Sequence, residues 1–532
     1  MSADASAGPV EESGGDTLVA ILLSMAMFVL VVDTSLMNVS ISAVVHDLHT
    51  TASGVQSAIA LEALVSAAFI LIGSKIGDLY GRKRAYIIGL LAYAAGALSM
   101  TLSQSLLPIV VFWAVVGGLG ASLLLPAMQS LIHGNFQGAM QRRAYALVGA
   151  AAAIAAAVGP LLGGFITTYL SWRVAFAGEV VIIGIVLIGS RRVHDVPYTG
   201  ERGIDLVGAV LSALGMGGVV LGILVWEDGG AAVGALLLIG VGSLGLLVWW
   251  LRKRKREGKP ALLDIDLFKS RYFRFGISGQ TLQQISLGGL MIALTIYLQM
   301  VLEYNAMQAG LTLAPLSLSM FAVALIAGRK AGDRSPSKII RGGFFLLALG
   351  VAILIPIIPR AHSGWWMVVP LLIAGTGLGL LVSQLNNYTL SPIEDERVSE
   401  AAGVNSAGGS FGLSFGLAFA GAVMLSSLSL LFTNEANSSD VLSSRQATQV
   451  SKALDKNAEV MTQTHLEALL VGKPPAAKAE ILHINETARP KALQIALLVP
   501  LIASLIGLLT GFRMTRLPDP EPSSAAESVL GG

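Results

Sequence analysis

The sequence predicts an all-α membrane protein with fourteen transmembrane helices. Of its 532 residues, 54% are hydrophobic and only 13% are charged, whereas soluble domains carry about 25% charged residues. Apolar runs of about 20 residues, the length that crosses a bilayer as a helix, recur along almost the whole chain. A chain this apolar cannot hide its surface from water, so lipid must be its solvent. Its 60 glycines fit the close packing of helices in a membrane.

Fourteen segments have the length and apolarity of a membrane span. They cover residues 17–42, 53–76, 84–103, 107–131, 144–169, 173–191, 204–225, 231–251, 273–301, 307–328, 342–359, 365–389, 401–432 and 493–513. Most are joined by short polar turns, as expected where successive helices reverse direction across a bilayer. Residues 1–16 lack the basic start of a signal peptide. They and residues 515–532 are predicted to be disordered tails.

The distribution of Lys and Arg predicts the side of the membrane on which each loop lies. Cations concentrate in cytoplasmic loops. With the N-terminus inside, the cytoplasmic turns carry Arg82, Lys83, Arg84, Arg142, Arg143, Arg191, Arg192, Arg202, residues 252–256, Lys259, Arg329, Lys330, Arg334, Lys338 and Arg397. The short outer loops hold only Arg173 and Arg360. Because the number of spans is even, both termini are expected in the cytoplasm. The membrane is expected to be the plasma membrane.

Two segments interrupt the pattern of short loops. The basic run 252–256 precedes the ninth span and is either a topology determinant or a contact for anionic lipid. Segment 433–492 is placed outside, since long loops cross the membrane regardless of charge. Within it, residues 450–470 carry apolar side chains at helical spacing. Segment 433–492 is therefore either a short outer helix or hairpin over the exit, or a flexible linker.

The turn between the second and third spans combines glycines with cations. It reads Gly73-Ser74-Lys75-Ile76-Gly77-Asp78-Leu79-Tyr80-Gly81-Arg82-Lys83-Arg84. By charge alone it is an ordinary cytoplasmic loop. Its sequence resembles the signature loop between helices two and three of the major facilitator superfamily. The matching residues include Asp78, Gly81, Arg82 and Lys83. The resemblance implies that these residues hold helix ends that must separate during transport.

Two further motifs resemble those of the fourteen-helix drug:proton antiporters in that superfamily. Gly159-Pro160-Leu161-Leu162-Gly163-Gly164 lies in the fifth span, as the antiporter signature requires. Taken alone, it is a proline kink in a packed helix. In the first span, Val32-Asp33-Thr34-Ser35-Leu36-Met37-Asn38-Val39 is similar to the first-helix signature of the same branch.

The resemblance covers residues 17–432 and the last span. It implies two six-helix bundles, residues 17–192 and 260–514, with an inserted helix pair in 193–259. It also implies that substrate binds between the bundles and that protons drive export. One position departs from the pattern, because Ala114 stands where the fourth helix of the branch carries an Arg implicated in proton transfer. Proton coupling must therefore rest on other residues.

Three carboxylates lie inside predicted spans: Asp33, Glu62 and Glu179. An ionised group in hydrocarbon costs several kcal/mol, so each is a functional candidate. At 1.5 Å per residue, Asp33 lies about 15 Å and Glu62 about 14 Å from the outer ends of their helices. At similar depth, the two are expected to share a proton and to couple transport to protons or another cation. The alternatives are that Asp33 caps a backbone break and that Glu62 faces cavity water.

Glu179 occupies a different position. It lies about 10 Å beyond Trp172, which marks the outer interface, on a helix that is peripheral in the family. It is a candidate for proton or cation coupling on account of its depth, but a structural hydrogen bond is the favoured interpretation.

The predicted second bundle carries polar side chains without charge. These are Gln280, Gln283 and Gln284 in the ninth span, Gln384, Asn386 and Asn387 in the twelfth, and Asn405 in the thirteenth. The three glutamines of the ninth span share a helix face by their spacing. Those glutamines, Gln384, Asn387 and Asn38 of the first span are candidates for substrate binding. Hydrogen bonds between helices are the alternative role.

Together these features predict a secondary active transporter that exports amphipathic organic compounds, drugs or lipids, in exchange for protons. An uncoupled uniporter or lipid flippase is the alternative transporter, and a membrane sensor or scaffold is the alternative of another class. The sequence has no cysteine, no phosphate-binding loop and no histidines at metal-ligand spacing. No enzyme activity, cofactor or metal is therefore expected. The expected partners are the substrate, protons and membrane lipids, with no nucleic acid and a monomeric chain.

Overall fold

The computed structural model is built from helices throughout the part of the chain that it describes. That part comprises residues 17–136, 138–195, 205–226, 230–329, 335–361, 363–393, 395–439, 441, 466–467, 470–471 and 474–519. Within it, fourteen helical segments are long and apolar enough to cross a membrane. The prediction of an all-α fold with fourteen spans is therefore confirmed.

The first six spans pack together as one bundle. They are α1 (Thr17–Leu48), α2 (Ala52–Tyr80), α3 (Arg82–Leu102), α4 (Gly118–Asn135), α5 (Gly138–Tyr169) and α6 (Trp172–Gly189). A π-helical segment, Ile109–Gly117, precedes α4 and completes the fourth span. Helix α1 packs against α5 and α6, and α3 packs against α4 and α6. This arrangement directs side chains from α1, α2, α3 and α6 toward the middle of the bundle.

The second bundle contains the last six spans. They are α9 (Arg271–Ile296), α10 (Ala306–Arg329), α11 (Pro336–Ile357), α12 (Val368–Leu390), α13 (Asp395–Asn437), and a final span made of α14 (Pro475–Ala496) and α15 (Leu498–Met514). A π-helical turn, Tyr297–Val301, continues α9. Helix α9 packs on α13, α12 packs on α10 and α11, and α15 packs on α9 and α11.

A pair of helices is inserted between the bundles. Helices α7 (Leu206–Leu224) and α8 (Gly230–Arg256) pack against each other, and α7 also contacts α2 and α13. Their contact is close because both contribute glycine: a Cβ atom added to Gly218 would lie 2.7 Å from the Cα atom of Gly240. Small residues let membrane helices approach in this way.

Both ends of segment 433–492 are helical, so the flanking helices are longer than the predicted spans 401–432 and 493–513. Helix α13 continues to Asn437 and α14 begins at Pro475, so both helices extend into the segment. The two extensions are joined where Glu435 accepts from Thr487 at 2.8 Å and pairs with Lys491 at 2.5 Å. Residues 450–465, which hold most of the predicted outer helix, lie outside the described part.

Hydrogen bonds join the two bundles in the half of the molecule nearest segment 433–492. Gln299 at the end of α9 accepts from the Ser42 backbone amide at 2.7 Å and donates to the Val39 carbonyl at 3.0 Å. The Met307 amide at the start of α10 donates to Thr168 of α5 at 2.9 Å. These contacts close that half of the molecule between the bundles.

Candidate functional site

The carboxylate of Asp33 lies inside the first bundle, where two aromatic side chains bind it. Asp33 on α1 is only 1% exposed. The indole Nε1 of Trp113 donates to both carboxylate oxygens, at 3.0 Å and 3.1 Å, and the hydroxyl of Tyr93 on α3 donates as well. Both donors are uncharged, so they orient the carboxylate without neutralising it.

Trp113 lies in the π-helical segment that precedes α4. Short π-helical stretches are rare and occur frequently at functional sites. The next residue, Ala114, is fully buried and stands at the position of the missing Arg. At this level of the fourth span, Asp33 is therefore contacted by a neutral indole.

Tyr93 and Trp113 are site residues that were not predicted from the sequence. A signal for Trp113 was nevertheless present. Buried polar groups are almost always hydrogen-bonded, and Ala114 cannot supply the donor that Asp33 needs. Trp and Tyr combine a large apolar body with a single donor, so an aromatic residue beside Ala114 was a candidate.

Glu62 and Glu179 complete the site. Glu62 on α2 is 8% exposed and Glu179 on α6 is 2% exposed. Each interacts electrostatically with Asp33, and Tyr93 interacts with all three carboxyl groups. Neither carboxyl oxygen of Glu179 has a hydrogen-bond partner in the described part of the chain. The structural hydrogen bond expected for Glu179 is therefore not seen.

We call Asp33, Glu62, Tyr93, Trp113 and Glu179 the acidic cluster. Among the described residues, the buried side chains include a single basic one, Arg489 of α14. Its electrostatic partner is Glu303, at the end of α9, and not a member of the cluster. No group of three or more ligands in the described ranges could hold a metal ion. Three carboxyl groups without a cation are costly to ionise together, so the arrangement can take up protons.

The predicted glutamines of the second bundle lie between helices. Gln384 on α12 is fully buried, and neither its Nε2 nor its Oε1 atom has a partner among the described residues. Gln283 is 2% exposed. Gln280 and Gln284 both face Gly409 of α13, and the Oε1 atom of Gln284 is buried without a described partner. Gln284 and Gln384 therefore offer buried hydrogen-bonding atoms that have no described partner.

The two candidate asparagines make local hydrogen bonds. Asn387 on α12 accepts from the Ser391 hydroxyl at 2.6 Å. Asn38 on α1 is 3% exposed, and its Nδ2 atom donates to the Thr34 carbonyl at 2.8 Å. The Oδ1 atom of Asn38 is buried with no partner in the described ranges. Asn38 therefore keeps a free acceptor five residues from Asp33.

The glycines of the fifth-span motif bring α5 close to both bundles. A Cβ atom added to Gly159 would lie 2.5 Å from the Cβ of Ser35 on α1, and one added to Gly164 would lie 2.6 Å from the Ala306 carbonyl on α10. Gly163 also packs against α1. Larger residues at these positions would push α5 away from its neighbours in either bundle.

The turn between α2 and α3 is tied to the segment that follows α6. Gly81 has a φ of 104°, a conformation that favours glycine. The Lys83 amide donates to Asp195 at 3.0 Å, and its ammonium group donates to the Arg191 carbonyl at 3.5 Å. Asp195 was not identified from the sequence. The side chain of Asp78 lies outside the described part.

Fourteen apolar helices in two bundles, with polar groups buried in each, define a multi-pass membrane transporter. A family model described as Major Facilitator Superfamily matches residues 23–417. The chain belongs to this superfamily.

Relatives and solved structures agree with that assignment. The chain is 26% identical over 436 residues to a probable actinorhodin transporter of Streptomyces coelicolor, covering 79% of this chain and 74% of that protein. It is 30% identical over 429 residues to the puromycin resistance protein pur8 of Streptomyces alboniger, covering 77% and 84%. A solved peptide transporter POT in complex with sulfate has a TM-score of 0.58 at 12% identity, covering 94% and 96%. The solved structure shares the fold.

Proposed function

We propose that this protein exports amphipathic organic compounds across the plasma membrane in exchange for protons. The acidic cluster carries the proposal, because three buried carboxyl groups without a cation form a proton site and serve no purpose in a passive scaffold. The names of the relatives refer to transport of actinorhodin and resistance to puromycin. Those names support an organic substrate that is moved out of the cell.

The three carboxyl groups have different surroundings and therefore different roles. Asp33 is the group equipped to ionise, because Tyr93 and Trp113 stabilise its charged form. Glu179 has no donor in the described ranges and stays protonated, since an isolated buried charge is costly. Glu62 interacts with Asp33 and is the most exposed of the three, so it exchanges the proton with water.

Substrate recognition is assigned to the neutral amides. The buried atoms without partners on Asn38, Gln284 and Gln384 are free to bind polar groups of a substrate. Gln280, Gln283 and Asn387 lie on the same two helices of the second bundle. An amphipathic compound would place its apolar body against the surrounding hydrophobic side chains.

Release requires that the contacts between bundles break. The Gln299 and Met307 hydrogen bonds hold one half of the molecule closed, and we assign that half to the outside. The glycines of α5 and the turn that carries Asp78, Gly81, Arg82 and Lys83 are the elements that rearrange. Both termini then lie in the cytoplasm. Labelling of Ser439→Cys but not Ser524→Cys by an impermeant thiol reagent on intact cells is expected, and the reverse pattern would contradict this orientation.

The function is tested by flux of ethidium, an amphipathic organic cation, in proteoliposomes of the purified full chain. An imposed pH gradient is expected to drive accumulation, and the double variant Asp33→Asn/Glu62→Gln is expected to lose it. Exchange of ethidium down its own gradient should persist in the variant. Equal accumulation with and without the pH gradient would show an uncoupled uniporter and overturn the coupling.

A further inference from the structure

Four arginines surround a cavity of about 390 Å³ at the end of the molecule where the last helix terminates. Arg271 and Arg274 come from the first turn of α9, and Arg513 and Arg516 come from the end of α15 and the turn that follows. The remaining lining residues are Phe275, Ser278 and Leu517. The lining therefore contains four cations, two apolar side chains and no carboxylate.

Packing between the two helices fixes the spacing of the arginines. The Tyr272 hydroxyl at the start of α9 donates to the Pro518 carbonyl at 3.1 Å, which ties the end of the last span to α9. Deeper in the bundle, the hydroxyls of Ser286 and Ser504 are 3.1 Å apart. Because the helices are joined at two levels, the arginines on either side of the cavity are held near each other in spite of their mutual repulsion.

The four guanidinium groups make no hydrogen bond or ion pair with any described residue. The basic run 252–256, for which a contact with anionic lipid is one predicted role, makes more ion pairs and hydrogen bonds. Its Lys255 pairs with Asp264 at 3.0 Å and also with Asp266, and Arg254 donates to the Pro260 carbonyl at 2.9 Å.

The carboxylate of Asp264 accepts several of the contacts made by the cations near the basic run. Partial burial raises its pKa, but the Asp266 backbone amide, Lys255 and Arg397 together lower it further, so the net shift is downward. Asp264 also pairs directly with Arg397, at 2.6 Å. All four guanidinium groups of the arginine cavity therefore lack a described partner, whereas the basic run is partly paired.

The cavity adjoins a surface suited to acyl chains. Along α15, Leu505, Leu509 and Phe512 are 45%, 64% and 47% exposed, so this side of the last span faces lipid. Phe275 and Leu517 continue the apolar surface into the cavity. A ligand there would meet guanidinium groups at one end and hydrocarbon at the other.

We propose that this cavity binds the phosphate headgroup of an anionic phospholipid of the phosphatidylglycerol type. Guanidinium groups bind phosphate oxygens in pairs of parallel hydrogen bonds, so two of the four can bind the unesterified oxygens of one phosphodiester while the others add positive potential. The N-terminus of α9, which carries Arg271, adds the positive end of a helix dipole. The acyl chains would lie along α15. The site is separate from the acidic cluster and does not depend on the transport proposal.

Native mass spectrometry of the full chain in a neutral detergent tests the site with phosphatidylglycerol and with phosphatidylcholine. The double variant Arg274→Gln/Arg513→Gln is expected to retain phosphatidylglycerol at least about tenfold less well than wild type. The matched control, Arg252→Gln/Arg256→Gln, removes the same charge from the exposed end of α8 and should retain the lipid. Arg274→Lys keeps the charge but loses the paired geometry, so an intermediate loss is expected.

Three results would overturn the proposal. Equal retention by the cavity variant and wild type would show that the arginines do not bind lipid, and equal losses in the cavity and control variants would show a general charge effect. Inorganic phosphate and a glycerol phosphodiester are compared as competitors of the bound lipid. If both displace the lipid at the same concentration, the cavity is a site for free anions. Melting temperatures in phosphatidylcholine establish that each variant is folded, and Arg274→Lys provides the test if the double variant is not.

Discussion

The two bundles have the same helical architecture but bury different chemistry. The first holds Asp33, Glu62 and Glu179, and two aromatic donors bind the first of them. In the second, the buried polar groups of α9 to α12 within the described ranges are hydroxyls and amides. A carboxyl group changes charge with pH and an amide does not. The difference supports our proposal that proton chemistry lies in the first bundle and neutral recognition in α9 to α12 of the second.

Asp33→Asn is the strongest test of that division. Neutralising the one carboxylate equipped to ionise should reduce accumulation driven by a pH gradient at least about tenfold, or about 1.4 kcal/mol. Downhill exchange should survive, because it need not cycle a proton. Asp47→Asn is the matched control, since it makes the same change on α1 at an exposed ion pair with Arg173. A loss of the same size in both variants would refute the special role of Asp33.

Trp113→Phe tests whether the fourth span supplies a neutral donor to the proton site. A hydrogen bond to a charged group contributes about 1.5–3 kcal/mol, so its loss should move the pH midpoint of substrate-induced proton release upward by about 1–2 units. Trp172→Phe is the control, because its indole donates at 3.0 Å to Asp47 and not to the cluster. Proton release of purified protein across pH 5 to 8 measures the effect. An unmoved midpoint would contradict the assignment.

Gln384→Leu addresses the second bundle. If the free amide atoms bind substrate, equilibrium affinity should fall about three- to tenfold, with an unchanged pH profile. Gln494→Leu provides a comparison, because that amide already donates to the Ile355 carbonyl at 2.8 Å. Unchanged affinity together with a higher melting temperature would show that Gln384 is only an unsatisfied buried amide.

Glu179→Gln should have the smallest effect. If Glu179 stays protonated, the variant has nearly the same shape and charge, and gradient-driven transport should remain within about two- to threefold of wild type. Melting temperature should be unchanged or higher, since a carboxyl group without described partners is removed. Gradient-driven accumulation is measured for Glu179→Gln and Asp33→Asn in the same assay, and the two losses are compared. A loss as large as that of Asp33→Asn would make Glu179 a coupling residue.

The sequence by itself determined the number of spans and the presence of acids within them. Span length depends only on local apolarity and on bilayer thickness, so fourteen helices were predictable without any knowledge of their packing. An acid in an apolar run is equally visible, and Asp33, Glu62 and Glu179 are indeed buried. The sequence also shows the glycine at position 81, and the structure gives this residue a φ of 104°.

Only the tertiary structure decided which side chains meet. In lipid, a helix is apolar on every side, so its sequence does not mark the face that contacts a neighbour. Local patterns therefore could not predict the contact of Asp33 with Tyr93, the hydrogen bonds of Gln299 to α1, or the arginine cavity between α9 and α15. Each joins residues that are far apart in the chain, and helix packing alone brings them together.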